Sequence, residues 1–335
     1  MKRFNVAVVG ATGVVGREMI KTLEQRNFPV NKIKLLATER SAGTEISFRG
    51  EKIKVETAKS GVFDGVDIAL FSAGSNASKE LAPIAVKEGA VVIDNSNAFR
   101  MDTDVPLVVP EINPEKIKEH NGIIANPNCS TIQMVVPLKP IYDEVGIDRI
   151  IVSTYQAVSG TGKDAIEELL QQTKAYINKE ELTSRVYPYQ IAFNVLPQID
   201  VFEENNYTRE EMKIVHETRK IFNDNDLKIT ATAVRVPVIN GHSESVYIET
   251  KEHICIEKLR SLLRNTKGVK LIDEVENLKY PLPIITENED DVLVGRLRKD
   301  LSIKNGINMW VAANNLRKGA ALNAIQIAEE LIKII

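Results

Sequence analysis

The chain has 335 residues, 43% apolar and 27% charged, which at about 100–200 residues per domain leaves room for two domains with their own cores and excludes a stapled miniprotein, a disordered chain or a membrane-embedded one. Forty-three Lys and Arg against 46 Asp and Glu give a net charge of −3, so no global field draws the chain to nucleic acid or an anionic membrane. Two cysteines build no disulfide framework, the opening apolar run is too short and glycine-rich for a signal peptide, and no stretch approaches the ~20 apolar residues of a membrane span; the expected location is the reducing cytoplasm.

Residues 4 to 9, FNVAVV, end at Gly10 and read as a parallel strand buried on both faces. Residues 14 to 26 place Val15, Met19, Ile20 and Leu23 on one face, the spacing of a helix. Apolar runs at 34–37, 68–72, 91–94 and 122–125 predict further strands, and SNASKELAPIAVKEGA between the 68–72 and 91–94 runs predicts a crossover helix that Pro83 either starts or kinks. Strands alternating with helices predict an α/β fold, a Rossmann-like parallel sheet with right-handed crossovers over residues 1 to 127. After Ser130 the β-branched runs IIVSTYQAV, KITATAVRVPVI and ESVYIET, interrupted by KDAIEELLQQTKAYI, predict an α+β domain with a mixed or antiparallel sheet. The last segment, 316 to 335, is apolar at 321, 324, 325, 328, 331, 332 and 335, which predicts one long docking helix. No repeat or Gly/Ser linker intervenes, so the two domains are expected to pack closely.

Residues 10 to 16 read GATGVVG between the first strand and the first helix. A pyrophosphate needs a tight turn, a backbone free of Cβ atoms and helix-terminal N–H groups, and Gly10, Thr12 and Gly13, with Val14 and Val15 opening the helix, supply them. The middle glycine falls one place later than in G-x-G-x-x-G, so the position between strand and helix carries the dinucleotide reading against that of a plain tight turn. After the second strand the loop reads Thr38, Glu39, Arg40, Ser41. Arg40 and Ser41 suit a ribose 2′-phosphate and predict NADP, whereas an inward Glu39 would repel it; the plain alternative for Arg40 is a solvated charge.

NPNCST at 126–131 places Cys129 in the first turn of a helix, where unpaired N–H groups and the helix dipole favour the thiolate. Asn128 and those N–H groups suit a developing oxyanion. Taken alone, Cys129 reads equally as a buried structural cysteine, and Cys255, with no polar turn around it, reads as structural. Of four histidines, His120, His216 and His253 lie in charged, surface-like stretches, while His242 sits in a Gly241 turn between two strand-like runs, seven residues after Arg235. An Arg fork grips a carboxylate and a His moves a proton, although a salt-bridged Arg and a hydrogen-bonding His remain the plain alternative. No His or Cys cluster has metal-ligand spacing, so no metal is expected.

GATGVVG, SNAFRMD at 96–102, NPNCST, YQAVSGTG at 155–162, RVPVINGHSE at 235–244 and NNLRKGAALNA at 314–324 together resemble the aspartate-β-semialdehyde dehydrogenases, in order and over the whole chain. The resemblance implies that Cys129 forms an acyl thioester, His242 is the acid/base, Gln156 orients the reacting group and Arg235 binds the substrate carboxylate. It further implies a phosphate site at Arg100 and Lys213 with Glu210 beside it, cofactor contacts from Ser159, Gly160 and Asn315, and a cofactor domain of residues 1–127 plus 315–335 around a catalytic and dimerisation domain of 128–314. The implied reaction is reversible reduction of L-aspartyl-4-phosphate by NADPH to aspartate-4-semialdehyde and phosphate, serving lysine/diaminopimelate, threonine, methionine and isoleucine synthesis, by a homodimer or a dimer of dimers. The competing readings are an N-acetyl-γ-glutamyl-phosphate reductase and a non-catalytic dinucleotide sensor.

Overall fold

The run FNVAVV forms strand β1 (Phe4–Val9), with all but Asn5 buried, in the computed structural model, which describes residues 2 to 335. It leads into α1 (Val14–Gln25), whose Met19, Ile20 and Leu23 are buried as the helical spacing requires. There follow β2 (Val30–Ala37), a hairpin of β3 (Glu45–Phe48) and β4 (Glu51–Thr57), β5 (Ile68–Phe71), α2 (Ser75–Lys87), β6 (Val91–Asp94) and β7 (Ile123–Ala125). Pro83 lies inside α2 and neither starts nor ends it. The sheet order is β3-β4-β2-β1-β5-β6-β7, parallel except for the β3–β4 pair. β1 lies at its middle, and the chain runs out from it to both sides, so its C-terminal end is the switch point where open α/β sheets bind ligands.

The chain divides after Asn128. One unit runs up to that residue and resumes at Ala320–Ile335, and the other is Cys129–Gly319. The second begins with α3 (Cys129–Val145), apolar nearly all round and buried without a break from Ser130 to Leu138, the signature of a core helix. Then come β8 (Ile147–Gln156), α4 (Lys163–Asn178), α5 (Arg209–Phe222), β9 (Lys228–Arg235), β10 (His242–Thr250), α6 (Ile256–Arg264), β11 (Val269–Leu271), β12 (Val292–Lys299) and β13 (Gly306–Ala313). They make a mixed sheet, β11-β12-β13-β10-β8-β9, with β8–β9 and β11–β12 parallel and the other pairs antiparallel. α3 and α6 cover one face, with α5 against β9; on the other Tyr155, Ser245, Tyr247 and Trp310 are only partly buried.

The C-terminal segment is not the single helix that its periodicity predicts. Arg317–Ala321 is a π-helical turn, and only α7 (Leu322–Leu331) is α-helical. Asn314 is the cause: its side chain accepts from the N–H groups of Leu316 and Arg317, and its carbonyl accepts from Gly319 N–H at 3.1 Å, five residues on. α7 then buries Ala324, Ile325, Ala328 and Leu331 against Met19, Ile20 and Leu23 of α1 in the first unit's core. Among the described residues no helix is long and apolar enough to cross a membrane.

Candidate active site

Sheet register gathers the polar residues of the second unit at one end. In β8 the inward positions are 150, 152, 154 and 156, so Gln156 is the last inward side chain; its ladder partner on parallel β9 is Arg235, also the last residue of its strand. Antiparallel β10 starts at that same end: Ser243 pairs with Tyr155, and His242 pairs with Ala313 at the end of β13. His242 therefore opens a strand, where the sequence places it in a turn. The turn is the preceding residue, Gly241, at φ +88, where a Cβ would lie 2.6 Å from Thr286 Oγ1; only glycine fits there. Its N–H donates to Asn315 Oδ1 at 2.9 Å.

Arg235 is buried and spends Nη1 on the Ala157 carbonyl at 2.7 Å, leaving Nε without a partner in the chain. The Ala157 N–H donates to His242 Nδ1 at 2.9 Å. His242 is fully buried, and burial first, then the Arg235 cation, hold its pKa well below the ordinary histidine value. Gly160 lies over both: a Cβ there would come within 3.1 Å of Arg235 Nη1 and 3.3 Å of His242 Nε2. Asn315 Nδ2 donates to Ser159 Oγ at 2.9 Å. Gln156 Nε2 donates to Glu210 Oε1 at 3.2 Å, and Lys213 bridges Glu210 and Asp200 at 3.1 and 2.9 Å. Desolvation pulls the Lys213 pKa down, but Glu210 and Asp200 more than offset it, and the net shift is upward.

Cys129 is the first residue of α3 and half-buried. A Cβ on Gly319 would come 2.8 Å from its Cβ, so the π-turn that starts at Asn314 seats Gly319 directly on the thiol's carbon. Cys255, expected to be structural, is exposed at the N-cap of α6. His216 and His253 are exposed as their sequences suggest, but His120 is half-buried, its Nδ1 accepting from Gly122 N–H.

In the first unit, Gly10 has φ +86 and a Cβ there would meet Ser72 O at 2.7 Å, while one on Gly16 would meet Gly10 O at 2.2 Å. The turn is closed to any side chain at both. Gly13 caps α1 with no side-chain hydrogen bond, and the first helical bond is Arg17 N–H to Gly13 O, so the N–H groups of Val14, Val15 and Gly16 have no helical acceptor. That cradle fits a dinucleotide pyrophosphate. Thr12 Oγ1 reaches Ser41 Oγ at 3.4 Å, joining the turn to the Glu39–Ser41 loop, where Arg40 is exposed. Arg100 is buried with Nη2 donating to Asn95 O at 2.7 Å; Asn128 is buried just before the thiol.

A cysteine at a helix start and an Arg, Gln and His at one sheet end recur in acyl-transfer sites, and relatives decide which one. Residues 5–120 match the semialdehyde dehydrogenase NAD binding domain and residues 138–318 the semialdehyde dehydrogenase dimerisation domain. The aspartate-semialdehyde dehydrogenase of Aquifex aeolicus is 57% identical over 334 residues, 98% of each chain. The chain belongs to the aspartate-semialdehyde dehydrogenase family. Among solved structures, aspartate semialdehyde dehydrogenase II of Vibrio cholerae, complexed with ASA, is 50% identical with a TM-score of 0.97, covering 100% of this chain and 99% of the other. The Candida albicans aspartate semialdehyde dehydrogenase with NADP is 26% identical with a TM-score of 0.77, covering 99% of each.

Three residues that sequence reasoning passed over lie beside these candidate site residues. Gly319 lies within a quoted motif, but nothing in its spacing marks its contact with Cys129. Glu244 is fully buried one inward position beyond His242, a placement that the period of two along HSESVYIET does carry. Tyr187 donates to Thr161 Oγ1 at 3.0 Å, beside Gly160, on a segment whose N–H groups are gathered by buried Glu168.

Proposed function

We propose that the chain catalyses the reversible, NADPH-dependent reductive dephosphorylation of L-aspartyl-4-phosphate to L-aspartate-4-semialdehyde through a thioester on Cys129. The observation that carries this reading is the convergence of Gln156, Arg235 and His242 on one sheet end in a chain whose α3 opens with a half-buried cysteine. The α3 N-terminus favours the Cys129 thiolate, which attacks the acyl carbon and expels phosphate; Asn128 and the first-turn N–H groups receive the oxyanion. Arg235 holds the far carboxylate with the Nε side of its fork, which the protein leaves unpartnered. Gln156, anchored by Glu210, orients the reacting carbonyl, and His242 answers for the charge on its oxygen. Arg100 and Lys213 hold the phosphate. Lys213 does so while sharing its charge with Glu210 and Asp200.

When bound, the nicotinamide cofactor supplies the hydride. Gly10, Thr12, Gly13, Val14 and Val15 would hold its pyrophosphate, Arg40 and Ser41 its 2′-phosphate, and Ser159, Gly160 and Asn315 the remainder. NADP is favoured over NAD because the Glu39–Ser41 loop is tied to the glycine turn through Thr12 and because the Candida relative was solved with NADP. We read the first unit, with the returning C-terminal segment, as the cofactor domain and the second as the catalytic and dimerisation domain. The protein is read as a homodimer, with a dimer of dimers as the larger form, pairing through the partly open sheet face where the Tyr155 and Trp310 rings meet at a tilt, centroids 5.3 Å apart, beside a cavity of about 370 Å³; its location is read as cytoplasmic.

The test is reduction of NADP⁺ on addition of aspartate semialdehyde with phosphate or arsenate. Turnover that requires the anion supports the reading. No turnover favours a cofactor sensor, and preference for the longer N-acetylated semialdehyde favours the glutamyl reductase. Titrating NADP⁺ and NAD⁺ into wild type and Arg40→Ala checks the cofactor: the variant should weaken NADP⁺ far more than NAD⁺, and equal losses would remove Arg40 from the 2′-phosphate site.

A further inference from the structure

Between α4 and α5 the chain runs through residues 179–208 without a helix or strand, longer than compact domains carry without a functional reason. Two side chains one turn apart on α4 hold it. Buried Glu168 accepts from the N–H groups of Arg185, Val186 and Tyr187 at 2.7, 2.6 and 3.4 Å. Gln172, also buried, accepts from Ile191 and Ala192 N–H at 2.9 and 3.0 Å and donates to Thr183 O at 2.9 Å. The backbone on both sides of Tyr187 is therefore fixed, although Val186, Pro188 and Tyr189 are exposed.

Tyr187 is turned the other way. Its ring packs on the small core of Val158, Ala165, Leu169 and Ile191, and its hydroxyl donates to Thr161 Oγ1 at 3.0 Å, next to the Gly160 that lies over Arg235 and His242. Burial pushes the Tyr187 phenol pKa up, and the strongest opposing influence is the Arg235 cation, as a guanidinium close to the phenol requires. A tyrosine hydroxyl has a single proton. With that proton spent on Thr161, Oη offers its other neighbours only an acceptor. The carboxylate that Arg235 takes is bonded directly to the substrate's α-carbon, so the amino group on that carbon falls in the space that Arg235 and Tyr187 share. An ammonium there is small and donates, which suits Oη. An N-acyl group adds bulk and a carbonyl oxygen that only accepts.

We propose that Tyr187 is a specificity-determining residue, whose ring walls the pocket beside Arg235 and admits a substrate with a free α-amino group while turning away its N-acylated counterpart. The grip of Glu168 and Gln172 keeps that wall in place. This deepens the aspartate-semialdehyde reading and rests on it.

The experiment compares L-aspartate semialdehyde with its N-acetyl derivative as substrates of wild type, Tyr187→Ala and Tyr187→Phe, with NADP⁺ and phosphate. Wild type should prefer the free amine. Tyr187→Ala should lower that preference, read as the ratio of kcat/KM values, by about tenfold or more, the scale on which a pocket discriminates by size. Its loss on the free amine should fall on KM more than on kcat, and Tyr187→Phe, which keeps the ring, should keep most of the preference. A ratio that Tyr187→Ala leaves unchanged, whether or not activity falls, overturns the proposal, and so does a wild type indifferent to the acetyl group. Should Tyr187→Ala not fold, Tyr187→Leu removes the ring, refills the small core and is judged by the same ratio. Protection of Cys129 from alkylation by either compound, without NADP⁺, reads the preference by binding alone. Protection that discriminates where nothing turns over would sink the reaction and leave the wall standing; turnover with a ratio indifferent to Tyr187 would do the reverse.

Discussion

Arg235 divides its guanidinium between the fold and the site. Nη1 holds the Ala157 carbonyl at 2.7 Å, the same residue whose N–H holds His242, so one arginine fixes the loop after β8 and, in the proposed reaction, keeps Nε for the substrate carboxylate. Arg235→Lys keeps the charge and loses the fork; kcat/KM should fall by the equivalent of roughly 2–4 kcal/mol, the scale of paired hydrogen bonds to a charge. Steady-state kinetics check this, and wild-type values would remove the role. Gly319 makes a subtler prediction. The 2.8 Å approach to Cys129 Cβ forces Gly319→Ala to shift either the thiol or the π-turn, an overpacking cost of about 1–3 kcal/mol. Because the shifted atom bears the nucleophile, kcat should drop more than KM rises; an unchanged kcat with lowered stability alone would show that the thiol's position is not set there.

At the scale of elements, β10 carries His242 and Glu244 on one face, and α3, which Cys129 heads, packs on that strand. Burial raises the Glu244 carboxyl well above its ordinary 4.5, with Gln133 of α3 offsetting only part of the shift. A raised folded-state pKa means that the stabilisation is present below about pH 4.5, the unfolded value, and is lost as pH rises toward the folded one. Glu244→Gln removes the titrating group, so its melting temperature should gain on wild type as pH rises from about 5 to about 8. A constant difference across that range would mean that Glu244 does not stay protonated in the fold. Elements with an apolar run, β1 and β6, or a clear helical period, α1 and α4, are legible in the sequence because burial follows the pattern. The β3–β4 hairpin is not: its turn is Arg49–Gly50, both at positive φ, where Asn-Gly would signal the turn, and Arg49 is held there by donating from Nη2 to Phe28 O at 2.6 Å. The π-turn before α7 is equally hidden, since it follows from Asn314 hydrogen bonds and leaves the apolar spacing intact.

At the scale of the molecule, the family and the two-unit plan are legible because each motif sits at a strand end or a helix start. The sequence cannot show which ends meet. Gln156 and Arg235 become neighbours through parallel pairing of β8 with β9, and His242 joins them only because β10 runs antiparallel from the same end; register between distant strands is set by packing, with no local code. The thioester proposed for that arrangement is directly observable. Wild type mixed with aspartate semialdehyde and NADP⁺ without phosphate or arsenate should produce one equivalent of NADPH and stop, leaving a single aspartyl group on Cys129 in intact-mass and peptide spectra. Phosphate should then discharge it, and Cys129→Ala should give neither burst nor adduct. A burst with no adduct on Cys129, or an adduct on Cys255, would contradict the account.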